Sequence, residues 1–184
     1  MLKRIRRILF RPLAGAVREP PLQELPEITL RPIGVVRSRV KETGDWRDWS
    51  EVTCRIVLRP ELADALLGLD GYSHILVLFW PHLVPEDVRG SKHRLHPLDD
   101  PQYPLQGMLA TRSQIRFNPI LVSVAPLLAV KDNVLRVRGL DAIDGTPVLD
   151  VKPYIPYYDC VPDARAPGWV TERAERLRQA REGS

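Results

Sequence analysis

Apolar and polar residues alternate at residues 51–58, with Val52, Cys54, Ile56 and Leu58 on one side, so this segment predicts a strand with one buried face. Residues 28–38 are also β-rich and lead into a polar loop at 41–50 that carries Trp46 and Trp49. Pro60 can start a helix that runs to Leu67, with Gly68 capping its end. Residues 74–80, HILVLFW, are continuously apolar and bounded by Gly71 and Pro81, which predicts a strand buried on both faces and central to a sheet. Residues 81–106 hold five prolines and three histidines, too long and irregular for an ordinary connection, and loops of this kind often border sites. Further strands are predicted at 107–111, 120–130, 134–138 and 148–151, with Asp132-Asn133 as a hairpin turn that returns Leu135 and Val137 inward. Residues 171–181 read as a charged helix whose only large apolar residue is Leu177, so it can hardly pack as core.

A chain of 184 residues with 44% hydrophobic content supports one core. Eighteen prolines and eleven glycines favour many short strands and tight turns over a helical bundle. Cys54 and Cys160 have neither zinc-ligand spacing nor the pattern of a disulfide scaffold, which points to a cytoplasmic protein without a structural metal. His93 and His96 have the spacing of a metal pair, but Pro97 argues against a helix that presents both. No apolar run reaches the roughly 18 residues of a membrane span, and no signal peptide is recognisable.

The net charge of +4 would attract a polyanion without proving that one is bound. Its densest part is the start, where Lys3, Arg4, Arg6, Arg7 and Arg11 alternate with apolar residues at helical spacing until Pro12. That stretch is a membrane-surface anchor, an arm for nucleic acid, or an extension with no role. The division expected is an extension and linker at 1–27, a domain at 28–165 and a helical tail at 166–184.

No Gly-rich loop of Rossmann or P-loop type is present. Chemistry concentrates instead in residues 107–128, where Arg112, Ser113, Arg116 and Asn118 interrupt apolar runs, and in residues 140–159, which carry Asp141, Asp144, Asp150, Lys152, Tyr154, Tyr157, Tyr158 and Asp159. Aspartates around Asp144-Gly145-Thr146-Pro147 can simply cap their own turn, or they can hold a ribose or a cationic amino group. Arg112 can pair with an acid on a rim or fork onto a carboxylate. The tyrosines suit edge packing or stacking on an extruded base, with Lys152 on phosphate. His74, inside the apolar run, reads as a satisfied core histidine.

Through ATRS at 110–113, R-x-NPI at 116–120 and LD-x-x-DGTPVLD-x-KPYIPY at 140–157, with IGVVRS at 33–38 and GLDGYSHILVLFW at 68–80, the chain resembles the TrmO (TsaA-like, YaeB or VirR) family of S-adenosylmethionine-dependent tRNA (adenine-N6)-methyltransferases. The resemblance covers roughly residues 30–160 and implies a mostly β fold, a small TsaA-like β-barrel with short helices and no Rossmann sheet. It implies a homodimer that binds S-adenosylmethionine and tRNA, with N6-threonylcarbamoyladenosine beside the anticodon as the methyl acceptor. Carried over by position, the cofactor residues are Arg47, His82, Leu83, Arg112, Val122, Asp141, Ala142, Ile143 and Asp144, and the substrate residues are Arg116, Asn118, Lys152, Tyr154, Tyr157 and Asp159. Departures are the loop KETGDWRDWSEV, where Arg47 stands in for the family's arginine, and RFNPIL, where Phe117 and Leu121 replace a proline and a glycine. Two other readings stay open: the same cofactor site with another acceptor, and a non-enzymatic RNA-binding barrel. No residue is singled out as a catalytic base.

Overall fold

The computed structural model describes residues 25–42 and 48–182, so the basic stretch at 2–11 and most of the linker lie outside the described residues. The described strands are β1 (Gly34–Arg37), β2 (Thr53–Leu58), β3 (His74–Phe79), β4 (Arg94–Leu95), β5 (Gln106–Gly107), β6 (Leu121–Lys131), β7 (Val134–Arg138) and β8 (Pro147–Pro153). Six of them close into a barrel in the order β1-β2-β7-β6-β3-β8, and β4 pairs with β5 apart from it. Closure comes from β1, which pairs antiparallel with β2 along its whole length and with β8 through Gly34↔Val148 and Val35↔Pro147. The mostly β, non-Rossmann barrel expected from the sequence is the fold observed.

The barrel has one interior, so each strand sends alternate residues into it. Val36, Cys54, Ile56, Ile75, Val77, Phe79, Leu135 and Val137 fill it. Burial pushes the Cys54 thiol up to about 11, which keeps it protonated at neutral pH. The alternation also corrects the reading of residues 74–80: Ile75, Val77 and Phe79 are buried, but His74, Leu76 and Leu78 are only partly covered. A small closed barrel offers no second core for the outer face of β3.

β6 is long because it serves two partners. Residues 121–126 pair with β3, and from Leu127 on the strand pairs with β7, with a register shift between Leu127 and Ala129. The hairpin between β6 and β7 turns on Asp132, which adopts a φ of 51°, and on Asn133, whose side chain donates to the Leu58 carbonyl at 2.5 Å. The helix expected after Pro60 is a 3-10 helix, Pro60–Leu66, followed by Gly68 in the left-handed region.

Residues 80–120 leave the barrel between β3 and β6 and fold back over its end. Their ties are short polar contacts: Gly90 N–H to Ile115 O at 2.8 Å, Met108 N–H to His93 O at 2.9 Å, and the His96 ring with Tyr103 O at 2.7 Å. Arg89 lies over the Trp80 ring at 5.1 Å. The strand expected at 107–111 is not formed; β5 ends at Gly107 and a 3-10 turn, Met108–Ala110, follows. Two helices close the chain, α1 (Pro156–Asp159) and α2 (Gly168–Glu182). As expected, α2 is largely solvent-facing, and Trp169 near its start packs on Tyr103 with ring centroids 5.8 Å apart.

Gly34 marks the tightest approach in the closure. A Cβ there would lie 2.5 Å from the Val57 carbonyl oxygen and 2.9 Å from Leu58 Cα, both backbone atoms that cannot swing away. Gly34→Ala is expected to destabilise the fold by about 1–3 kcal/mol, the usual range for overpacking. Urea unfolding should show a lower midpoint with an unchanged slope; an unchanged midpoint would mean that β1 and β2 do not meet this closely.

Candidate functional site

The segment joining β7 to β8 is stitched to the edge of β1 by its backbone. Asp144 N–H donates to Val40 O at 2.7 Å, Gly145 N–H to Val36 O at 2.9 Å, and Val36 N–H returns a bond to Thr146 O at 2.9 Å. Gly145 takes a φ of 81°, a conformation that side-chain-bearing residues rarely adopt. The His82 ring lies against it, at the distance where a Cβ would make an ordinary van der Waals contact with Nε2, so the glycine is required by its φ and not by the ring.

This arrangement makes one wall of a cleft of about 440 Å³ at the end of the barrel, well inside the usual range for small-molecule sites. Asp141, Ala142, Ile143 and Thr146 come from the stitched segment, Phe79 from the end of β3 and Leu121 from the start of β6. The excursion supplies the facing wall through Pro81, His82, Leu83, Val84, Pro85, Val88, Gln114 and Ile115, and Glu42 and Trp49 complete the lining. The walls are mostly apolar. Among the described residues the charges in the lining are the carboxylates of Glu42 and Asp141, with no lysine or arginine in the lining itself, so the cleft suits a ligand that carries positive charge. Asp141 is held in place by the Ser123 hydroxyl, which donates to its Oδ1.

His82 supplies a further polar group. Its Nδ1 is shielded from solvent and has no hydrogen-bond partner among the described residues. An unsatisfied buried group of this kind costs about 1–3 kcal/mol, a cost that a bound ligand able to hydrogen-bond it would remove.

Of the residues expected at a cofactor site, the cleft gathers His82, Leu83, Asp141, Ala142 and Ile143. Asp144 faces away from it: Oδ1 accepts the Ser38 N–H at 2.9 Å, and Oδ2 lies 4.0 Å from the Arg37 guanidinium. Arg112 donates to the Val122 carbonyl, and the Val122 side chain is on the outer face of β6, so neither is in the lining. Arg47 lies outside the described residues.

The expected substrate residues divide as well. Arg116 donates to the Thr111 carbonyl at 2.5 Å and stiffens the loop before β6, while Asn118 is exposed beside it. Lys152 pairs with Asp150 at 2.6 Å, which raises its pKa. Tyr154 meets the His74 ring edge-on, Tyr157 and Tyr158 pack on each other in the open, and Asp159 accepts the Ile155 N–H at 2.7 Å. These last groups follow the far end of β8, which places Tyr154 roughly 20 Å along the strand from Val148 at about 3.3 Å per residue.

Sequence reasoning missed Glu42, Phe79, Val84, Val88, Gln114, Ile115 and Thr146 as lining residues. For Val84, Val88, Gln114 and Ile115 the only signal was the irregular excursion itself, and Glu42, Phe79 and Thr146 lie outside it. Among the described residues no group of three or more histidines, cysteines, aspartates or glutamates could hold a metal ion, and no helix is long and apolar enough to cross a membrane.

The family model of the tRNA-methyltransferase O N-terminal domain matches residues 45–160. A probable S-adenosyl-L-methionine-binding protein of Methanothermobacter thermautotrophicus is 40% identical over 136 residues, covering 70% of this chain and 90% of that protein. The tRNA (adenine(37)-N6)-methyltransferase of Escherichia coli is 42% identical over 108 residues, covering 56% of this chain and 45% of the relative. The crystal structure of TrmO from Pseudomonas aeruginosa superposes with a TM-score of 0.59 at 30% identity, covering 83% of this chain and 75% of that one.

The bond from Ser38 to Asp144 gives that aspartate a role in stability. Asp144→Ala should lower the unfolding free energy by about 1–2 kcal/mol, and Asp144→Asn, which keeps the acceptor oxygen, should recover at least half of the loss in urea denaturation. Equal losses in the two variants would contradict this role.

Proposed function

The chain belongs to the tRNA-methyltransferase O N-terminal domain family, and from that premise we propose that it is an S-adenosylmethionine-dependent methyltransferase of tRNA, with N6 of N6-threonylcarbamoyladenosine beside the anticodon as its acceptor. The observation that carries this reading is the apolar cleft whose lining charges are Glu42 and Asp141. S-adenosylmethionine has a sulfonium and an ammonium against one carboxylate, so it is a net cation at neutral pH, and two carboxylates at the rim of the cleft favour it. The unsatisfied His82 Nδ1 offers a partner for a polar group of the same molecule.

When bound, S-adenosylmethionine supplies an electrophilic methyl group for direct displacement. The protein's part is then alignment and exclusion of water. Phe79, Leu121, Ile143, Val84 and Val88 provide the apolar walls that exclude water. Asp141, fixed by Ser123, is the residue placed to orient the cationic or hydroxyl groups of the donor. Arg116, through its hold on Thr111, keeps the edge of the opposite wall in shape and is assigned to the RNA side of the cleft together with Asn118.

The same reading takes the protein as a cytoplasmic homodimer. Its support is the outer face of β3 and β6, where Leu76 lies opposite Val124 and Leu78 opposite Val122. Val122 and Val124 remain 40% and 46% exposed, an apolar strip that a second copy can cover. Arg47, Lys152, Tyr154, Tyr157 and Asp159 keep their assignment to cofactor or tRNA in this reading by family position.

Calorimetric titration with S-adenosylmethionine tests the reading. The wild type should bind, Asp141→Ala should bind at least about tenfold more weakly, a loss of about 1.4 kcal/mol, and S-adenosylhomocysteine, which lacks the sulfonium charge, should bind more weakly than the methyl donor. Methyl transfer should then require tRNA that carries the threonylcarbamoyl group. No binding by folded wild-type protein, or transfer to unmodified tRNA at the same rate, would overturn the donor site or the acceptor, respectively. In sedimentation, the wild type should run at twice the chain mass of 21.0 kDa and Val124→Glu at the single mass; a wild-type monomer would sink the dimer.

A further inference from the structure

We infer that the outer face of β1, β2 and β7 binds the phosphate backbone of the RNA substrate, a conclusion that rests on the tRNA-methyltransferase reading above. The register of two strand pairs creates the surface. Arg37 lies directly opposite Arg55, and Arg55 lies directly opposite Arg136. All three side chains point outward, because their neighbours Val36, Cys54, Ile56, Leu135 and Val137 point into the barrel. Like charges directly opposite on adjacent strands destabilise a sheet, so a fold with no use for them has reason to avoid such a row.

The row continues into a groove of about 470 Å³ lined by Arg37, Arg39, Lys41, Arg55 and Arg136, against the single carboxylate of Asp144. That carboxylate is already engaged by the Ser38 N–H. Among the described residues Arg39, Lys41, Arg55 and Arg136 have no ion-pair partner. A concave surface with this much unneutralised charge concentrates polyanions, and guanidinium forks match phosphate oxygens. Among the described residues the groove has no exposed apolar side chain that could enter a lipid layer, which favours a nucleic acid over a membrane.

Its position gives the surface a purpose. Lys41 lines the groove and Glu42 lines the cleft; Asp144 lines the groove and Ile143 lines the cleft. Groove and cleft therefore meet at two places where consecutive residues, about 3.8 Å apart at Cα, serve one and then the other. A strand held by its phosphates along the arginines has its neighbouring base delivered to the mouth of the cleft, while the carboxylates of Glu42 and Asp141 keep the phosphates themselves out.

The test compares tRNA binding by the full chain and by the double variant Arg55→Gln/Arg136→Gln over a series of potassium chloride concentrations, with S-adenosylmethionine titrated into both. The expected result is affinity at least about tenfold weaker and a log–log salt slope shallower by about 2. Donor binding should be unchanged, and Arg55→Lys/Arg136→Lys should keep the slope. The Gln variant should melt no lower than the wild type, since it loses a like-charge contact; if it does not fold, Arg55→Gln alone should lower the slope by about 1. The inference is overturned if the Gln variant binds tRNA with wild-type affinity and slope, or if it loses only its binding to vesicles containing phosphatidylserine. A wild type that takes no S-adenosylmethionine but binds tRNA through these arginines would support the surface and refute the methyltransferase reading.

Discussion

Closure of the barrel at β1 is the constraint on which the rest of the molecule depends. β1 has four residues, yet it pairs with β2 on one side and β8 on the other, and the stitched segment bonds to it at Val36 and to Val40 just beyond its end. Gly34 lets β2 come close enough for this to happen. Once the barrel is closed, the residues from Asp141 to Thr146 have little freedom. One side of that segment becomes the wall of an acidic cleft and the other becomes the border of a basic groove.

The selectivity proposed for the site rests on the separation of charge across so short a segment. A net charge of +4 spread evenly would attract any polyanion weakly. Here the cleft is lined by carboxylates and the groove by guanidinium and ammonium groups, so a small cation and a phosphate backbone are drawn to adjacent places. The excursion at 80–120 completes the cleft without adding charge to its lining. It is held by backbone bonds, by Arg89 over Trp80 and by the buried side chains of Leu95 and Met108, and it also brings apolar surface to the cleft.

How much of this the sequence disclosed depends on whether a property is local. Alternation at 51–58 and 134–138 is local, and both strands are found where alternation placed them. The run at 74–80 was misread because apolar outer residues look like core residues until the barrel is known to have one inside. The segment 107–111 was misread because GMLAT is apolar enough for a strand, whereas Thr111 closes a turn by donating to Met108 O at 2.9 Å. Asp141, Ala142 and Ile143 were carried over from the family resemblance and not from the turn itself, and the direction of Asp144 was not legible, because it is set by its bonds to Ser38 and Val40 after β1. The facing wall and the arginine row were hidden for the same reason: they arise from chain return and strand register between residues far apart in sequence.

The central claim, that the acidic cleft beside Asp141 and His82 holds the methyl donor, is tested most directly by a crystal structure of the protein grown with S-adenosylmethionine. The account predicts the ligand between the stitched segment and the excursion, with a polar atom on His82 Nδ1 and a hydroxyl or ammonium group on Asp141. A ligand seated instead at Lys152 to Asp159, or bound with the cleft left open to water, would contradict it.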